Sequence, residues 1–103
     1  YGIVGTVSGT SISFGTAAIY SGGNKPASMV FGYSTSASKI LIVYENQDTN
    51  DGLALTATIS GTSVSYGPEL TWVSNNLKLD GASKAPLNED TNANLMVLGF
   101  TNN

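Results

Sequence analysis

The sequence predicts an all-β fold, and three observations predict it. Apolar and polar residues alternate over short runs, and helical spacing is absent almost everywhere. Segments rich in Ser, Thr, Asn and Gly separate those runs at even intervals. A nine-residue phrase also occurs twice, as VSGTSISFG at residues 7–15 and ISGTSVSYG at residues 59–67, 52 positions apart. Val7 exchanges with Ile59, Ile12 with Val64 and Phe14 with Tyr66, while the SGTS core and the closing glycine are identical. Repetition at this spacing marks an array of small supersecondary units, each too small to bury its apolar face alone.

Taken in order, eight strands are expected, at residues 2–7, 11–20, 27–33, 40–46, 53–59, 63–73, 84–89 and 95–101. The first four make one unit, 1–52, and the last four a second, 53–103, within a single all-β domain spanning 1–103. Strand 27–33 is half-buried by pattern, with Ala27, Met29, Phe31 and Tyr33 on one face and Ser28, Val30 and Gly32 on the other. The runs ILIVY at 40–44 and LMVLGF at 95–100 are continuous and apolar, which predicts strands covered on both faces. Strand 84–89 is expected as an edge strand or an irregular outer strand, because Pro86 lacks a donor for the ladder. Tyr44 and Phe100 correspond at an offset of 56, so four residues are inserted between these landmarks, and VSNNLKLDG at 73–81 is where they fall.

Short strands and short turns favour two four-stranded antiparallel units resembling propeller blades, with a sandwich of two four-stranded sheets as the alternative. Two such units do not close a ring. Closure needs a homo-oligomer, such as three chains giving six blades, or neighbouring repeats of a longer chain. The first residue, Tyr1, falls within a strand, as in a processed product or a piece of something longer.

Composition excludes several classes of function. The hydrophobic fraction is 41%, too high and too well patterned for disorder, whereas only 11% of residues are charged, so hydroxyls and amides must solvate the surface. Four lysines, no arginine and a net charge of −3 argue against nucleic-acid binding, which needs clustered cations. No apolar run is long enough for a membrane-spanning helix. With no Cys, neither a disulfide nor a thiolate metal site exists, and with no His the commonest general base and transition-metal ligand are both missing.

The candidate sites are correspondingly few. Asp48, Asn50 and Asp51 in DTNDG offer hard oxygen donors to a cation such as calcium. Their spacing departs from that of an EF-hand loop, and a hairpin turn capped by its own Asx side chains is the competing reading. No other cofactor is implied. Trp72 lies beside Asn75, Asn76 and Asp80 in the inserted loop, a combination suited to stacking on a sugar ring and bonding its hydroxyls. Its competing reading is packing, because Trp72 corresponds to Tyr20 as Tyr66 does to Phe14. Glu89 and Asp90 are adjacent and point to opposite faces, so they cannot flank one glycosidic bond. A hydrolase would have to use Glu45, Glu69 or Glu89 from separate places, and serines such as Ser38 and Ser83 have only a neighbouring Lys to activate them. The expectation is a protein that is not an enzyme.

The string GTVSGTSISFGT at residues 5–16, followed by KILIVYENQD at 39–48, resembles a repeat of about fifty residues found in marine phage tail-fibre-like structural proteins and related bacterial surface proteins. The resemblance covers the first unit and the ISGTSVSYG phrase of the second, while LKLDGASKAPLNED departs from it. It implies a blade-like unit and a structural or receptor-contacting component of a virion or extracellular surface that meets a host. A lectin built from oligomerised blades, with a host-surface glycan as ligand, is the alternative.

Overall fold

The computed structural model describes residues 1–74, 77–78 and 87–102. No helix occurs among them, and all strand pairings are antiparallel. The strands are β1 (Gly5–Ser8), β2 (Ser11–Phe14), β3 (Pro26–Ser34), β4 (Lys39–Asn46), β5 (Asp51–Ser60), β6 (Ser63–Tyr66), β7 (Leu70–Val73), β8 (Leu77–Lys78), β9 (Leu87–Asp90), β10 (Leu95–Leu98) and β11 (Thr101–Asn102).

The strands expected at 11–20 and 63–73 are each broken just after the repeated phrase. β2 ends at Phe14 and pairing resumes as a bridge between Ala18 and Gly2; β6 ends at Tyr66 and pairing resumes at Leu70. Gly15 and Gly67 open these breaks. Gly15 N donates to Val4 O at 2.9 Å and Gly67 N to Thr56 O at 2.9 Å, so the chain stays attached to its neighbour while leaving the ladder. A side chain would not fit at Gly15, where a Cβ would overlap the carbonyl oxygen of Thr62. Pro68 follows Gly67 and has no N–H to give, which keeps the second break open.

The centre is a five-stranded sheet in the order β3-β4-β5-β6, with β7 also paired to β5 beyond the end of β6. β4 and β5 are in register from Ile40 opposite Ala57 to Asn46 opposite Asp51. This sheet crosses the boundary at 52 and 53 expected from the repeat, because β5 starts at Asp51. Its two faces carry two cores. On one, Ile42, Tyr44, Leu53, Leu55 and Ala57 are buried and are joined by Tyr20 and Met29. On the other, Val43 is buried beneath Leu41, Ala54, Trp72, Leu87 and Leu98. The N-terminal segment therefore covers the first face and the β9–β10 hairpin the second. Each large buried side chain contributes roughly 1.5–3 kcal/mol.

The continuous run 40–44 is covered on both faces, as its composition predicts. The run 95–100 is not. Leu95, Val97 and Phe100 are exposed, because among the described residues β10 pairs only with β9 and packs against the central sheet through one side. Apolar composition reported a strand suited to an interior position, and the fold of the single chain leaves it at the outside. Among the described residues β9 pairs with β10, while Pro86, on which the expectation for strand 84–89 rests, lies outside them.

The repeat holds at the level of hydrogen-bond register. β1 and β2 pair as Gly5 with Phe14 through Ser8 with Ser11, and β5 and β6 pair as Ala57 with Tyr66 through Ser60 with Ser63, the same ladder 52 residues later. β3 and β4 pair from Phe31 with Ile42 to Ser34 with Lys39, and β9 and β10 from Leu87 with Leu98 to Asp90 with Leu95, the same ladder 56 residues later. The offset is still 52 at Leu70 and has become 56 at Leu87, which brackets the insertion between them. The turns repeat too: Gly9 and Gly61 have φ of 58° and 57°, and Ser38 and Asn94 have φ of 52° and 56°.

Candidate functional site

Trp72 is the third residue of β7 and lies half-buried against the second face of the central sheet. Its ring meets Phe100 edge to face, centroids 4.9 Å apart and planes at 83°. Tyr20 meets Tyr44 in the same manner, at 6.2 Å and 66°. The two pairs are equivalent positions of the repeat, so Trp72 holds the place of a packing aromatic between layers. Two features set it apart. Its Nε1 is buried with no hydrogen-bond partner among the described residues. It also lines an apolar cavity of about 290 Å³ with Leu41, Val43, Ala54, Leu98 and Phe100. Asn75, Asn76 and Asp80, the expected polar partners of Trp72, lie outside the described residues.

The Asp48 segment is a four-residue hairpin turn between β4 and β5, closed by Asn50 N donating to Asn46 O at 2.8 Å, with Asn50 at φ 55°. Asp48 is committed to Lys25, whose Nζ is 2.9 Å from Oδ1, and its amide donates to Asn46 Oδ1 at 3.2 Å. Asp51 Oδ2 accepts from the Thr49 hydroxyl at 2.7 Å. The candidate calcium ligands thus sit together in one turn with two of their carboxylates engaged by protein groups. No cluster of three or more Asp, Glu, His or Cys arranged to hold a metal occurs among the described residues.

Two polar arrangements were not legible in the sequence. In the first, Glu89 of β9 reaches the turn between β3 and β4. It accepts from Thr35 N at 2.9 Å, Thr35 Oγ1 at 2.6 Å, Ser34 Oγ at 2.7 Å, Ser36 N at 3.2 Å and Ser36 Oγ at 3.1 Å. Successive amides and hydroxyls converging on one carboxylate form an anion-binding turn. The Thr35 hydroxyl and amide, then Ser34 and Ser36, lower the Glu89 pKa to about 2. In the second, Glu69 accepts from the Tyr44 hydroxyl on Oε1 and from Asn24 Nδ2 at 3.0 Å on Oε2. Asn24 in turn accepts from buried Asn46 Nδ2 at 3.2 Å and, through its carbonyl, from Ser21 Oγ at 2.7 Å. Burial, followed by the bond to Glu69, raises the Tyr44 pKa to about 12. The sequence signal was an isolated acid in each case, which gives no hint of its partner.

Glu69 and Glu89, two of the three acids open to a hydrolase, are thus bound into structural networks at different layers. Lys39, the neighbour of Ser38, instead donates from Nζ to Thr58 Oγ1 at 2.8 Å. What the described surface offers chemically is an apolar cavity with an indole wall, and strand edges lined with apolar side chains. Compared with known proteins, the chain matches no family model, no curated protein and no solved structure.

Proposed function

We propose that this chain is a non-enzymatic structural or receptor-contacting module of a phage-like virion or extracellular surface assembly, built of stacked blade-like units. The observation that carries the reading is the repeated register: hairpins identical in ladder and turn geometry recur at offsets of 52 and 56 and stack face to face through equivalent aromatic pairs. Such quasi-periodic stacking supplies an extended scaffold with variation confined to inserted loops. A surface solvated by Ser, Thr and Asn, with few charges, suits a particle exposed to medium of varying salt, since it does not rely on screened ion pairs.

The second reading is a lectin, favoured by the buried Nε1 of Trp72, without a partner among the described residues, beside its cavity. The test is binding of the fluorescently labelled chain to a panel of marine bacterial cells, run beside a glycan array. Saturable binding to a subset of strains supports the module reading. Absence of binding to every strain removes receptor contact, and a glycan hit abolished by W72A moves the assignment to the lectin.

A further inference from the structure

The central sheet is one complete repeating unit, and the segments on either side of it are two different halves of another. β3 and β4 are its first half, and β9 and β10 reproduce that half 56 residues on. β5, β6 and β7 are its second half. β1, β2 and the Gly2–Ala18 bridge reproduce that half 52 residues earlier, down to the Gly15–Val4 bond that matches Gly67–Thr56. The joint between halves is the β4–β5 ladder, and among the described residues it has no counterpart at either flank. Among the described residues, β10 pairs only with β9 and β1 only with β2.

We propose that a second copy of this chain supplies the missing joint, its N-terminal edge, residues 2–5 leading into β1, adding antiparallel to the β10 edge of the first. This rests on the module reading above and names the partner of that module. Transferring the β4–β5 register through the two offsets places Met96 opposite Gly5, Val97 opposite Val4, Leu98 opposite Ile3 and Gly99 opposite Gly2. Side-chain burial agrees with the transfer. Ile3 is 49% exposed, while its equivalent Leu55 is 3% exposed, and Phe100 is 47% exposed, while its equivalent Tyr44 is fully buried. In the complete unit those positions lie beneath the N-terminal layer, and the joint sets Leu98 and Phe100, with Ile3 of the second copy beside them, against the second face of the central sheet in the same way.

The cavity bounded by Trp72 is explained by the same placement. Leu98 and Phe100 form one wall, and Ile3 of the second copy, beside Leu98 on the same face, directs its side chain over Val43 and Ala54 into that space. The contact is head to tail, the N-terminal edge of one copy meeting the β10 edge of the next, so it repeats until the rotation closes a ring. Each contact completes one unit, and each copy brings one already complete. Rings of about four to eight blades therefore take two to four copies.

The chain has no cysteine, so the register is testable by disulfide trapping. Chains carrying Val4→Cys are mixed with chains carrying Val97→Cys under mild oxidation, and the unaltered chain is weighed in solution at tens of micromolar. Within one chain Val4 and Val97 belong to layers on opposite sides of the central sheet, so a bridge reports two copies. The expected result is a mixed disulfide between the two variants, at least tenfold less with Thr6→Cys in place of Val4→Cys, and a native mass that is a multiple of 10.6 kDa. A monomer at that concentration, or cross-links only between like variants, overturns the proposal. Cell binding does not enter either readout, so loss of the receptor assignment and loss of the interface are separate outcomes.

Discussion

Glu89 and Thr35, 54 residues apart in sequence, are joined twice: the Thr35 amide and hydroxyl both donate to Glu89 Oε2, at 2.9 and 2.6 Å. The pair ties the C-terminal hairpin to the turn of the central sheet. Because the bonds favour the carboxylate, the Glu89 pKa lies at about 2 in the folded chain, below the usual value near 4.3 for an unfolded Glu. Its contribution is present above the unfolded value and is lost as pH falls through the folded one. Thermal melting followed by circular dichroism should therefore show a drop in midpoint between about pH 4 and pH 2. E89Q should lower the neutral-pH midpoint and flatten that acid limb.

Tyr44 gives the opposite slope. Its pKa of about 12 exceeds the unfolded value near 10, so its contribution is whole below pH 10 and disappears as pH rises through 12. Y44F removes the hydroxyl from Glu69 while Asn24 still serves the other oxygen, and should cost about 1–3 kcal/mol in urea unfolding at pH 7. The alkaline loss seen in the parent should be absent from the variant.

Glycines at equivalent and inequivalent places should separate cleanly. Gly9 has φ of 58° with open space around it, so G9A meets only backbone strain, about 1–2 kcal/mol. Gly15 sits against the Thr62 carbonyl, and G15A must move one of two backbones. It should cost more than G9A in the same denaturation series; equal losses would show that the contact between the phrase and the second SGT turn is soft.

The Asp48 turn should behave as a turn. D48N breaks a surface ion pair with Lys25, both partners being more than half exposed, and should change stability by less than about 1 kcal/mol. Millimolar calcium should leave the melting midpoint unchanged. A rise with calcium that D48N and D51N abolish would establish the turn as a cation site.

At the core, L55A removes a buried β5 side chain between the central sheet and the N-terminal layer and should cost about 2–5 kcal/mol, read by urea denaturation. V7A, at an exposed position of the repeated phrase, should cost far less.

Much of the fold was legible because strand alternation and turn chemistry are local. The hairpins β3–β4 and β4–β5, the turn-rich segments between strands and the double coverage of residues 40–44 all follow from neighbours in sequence. Breaks at Gly15 and Gly67 were not legible. They depend on where Thr62 and Thr56 lie in space, and sequence spacing carries no record of that approach. Trp72 was identified with both of its readings, and the tertiary contact with Phe100 gives it a packing partner. The networks of Glu69 and Glu89 went unseen because their partners are 25 or more residues distant.

The sequence by itself determined that the chain is made of antiparallel strands, that its turns repeat, and that one phrase is scaffold. Periodicity and turn residues act over a few residues, so they survive without a tertiary context. Only the tertiary structure decided how the repeat is divided. Cutting the sequence at residue 52 gives two units, whereas the hydrogen bonds gather β3 to β7 into one sheet and leave a half unit on each face. The physical reason is that a ladder joins whichever strands can satisfy their backbone groups and bury their faces together. The duplicated phrase marks where a unit recurs and is silent on which neighbours complete it.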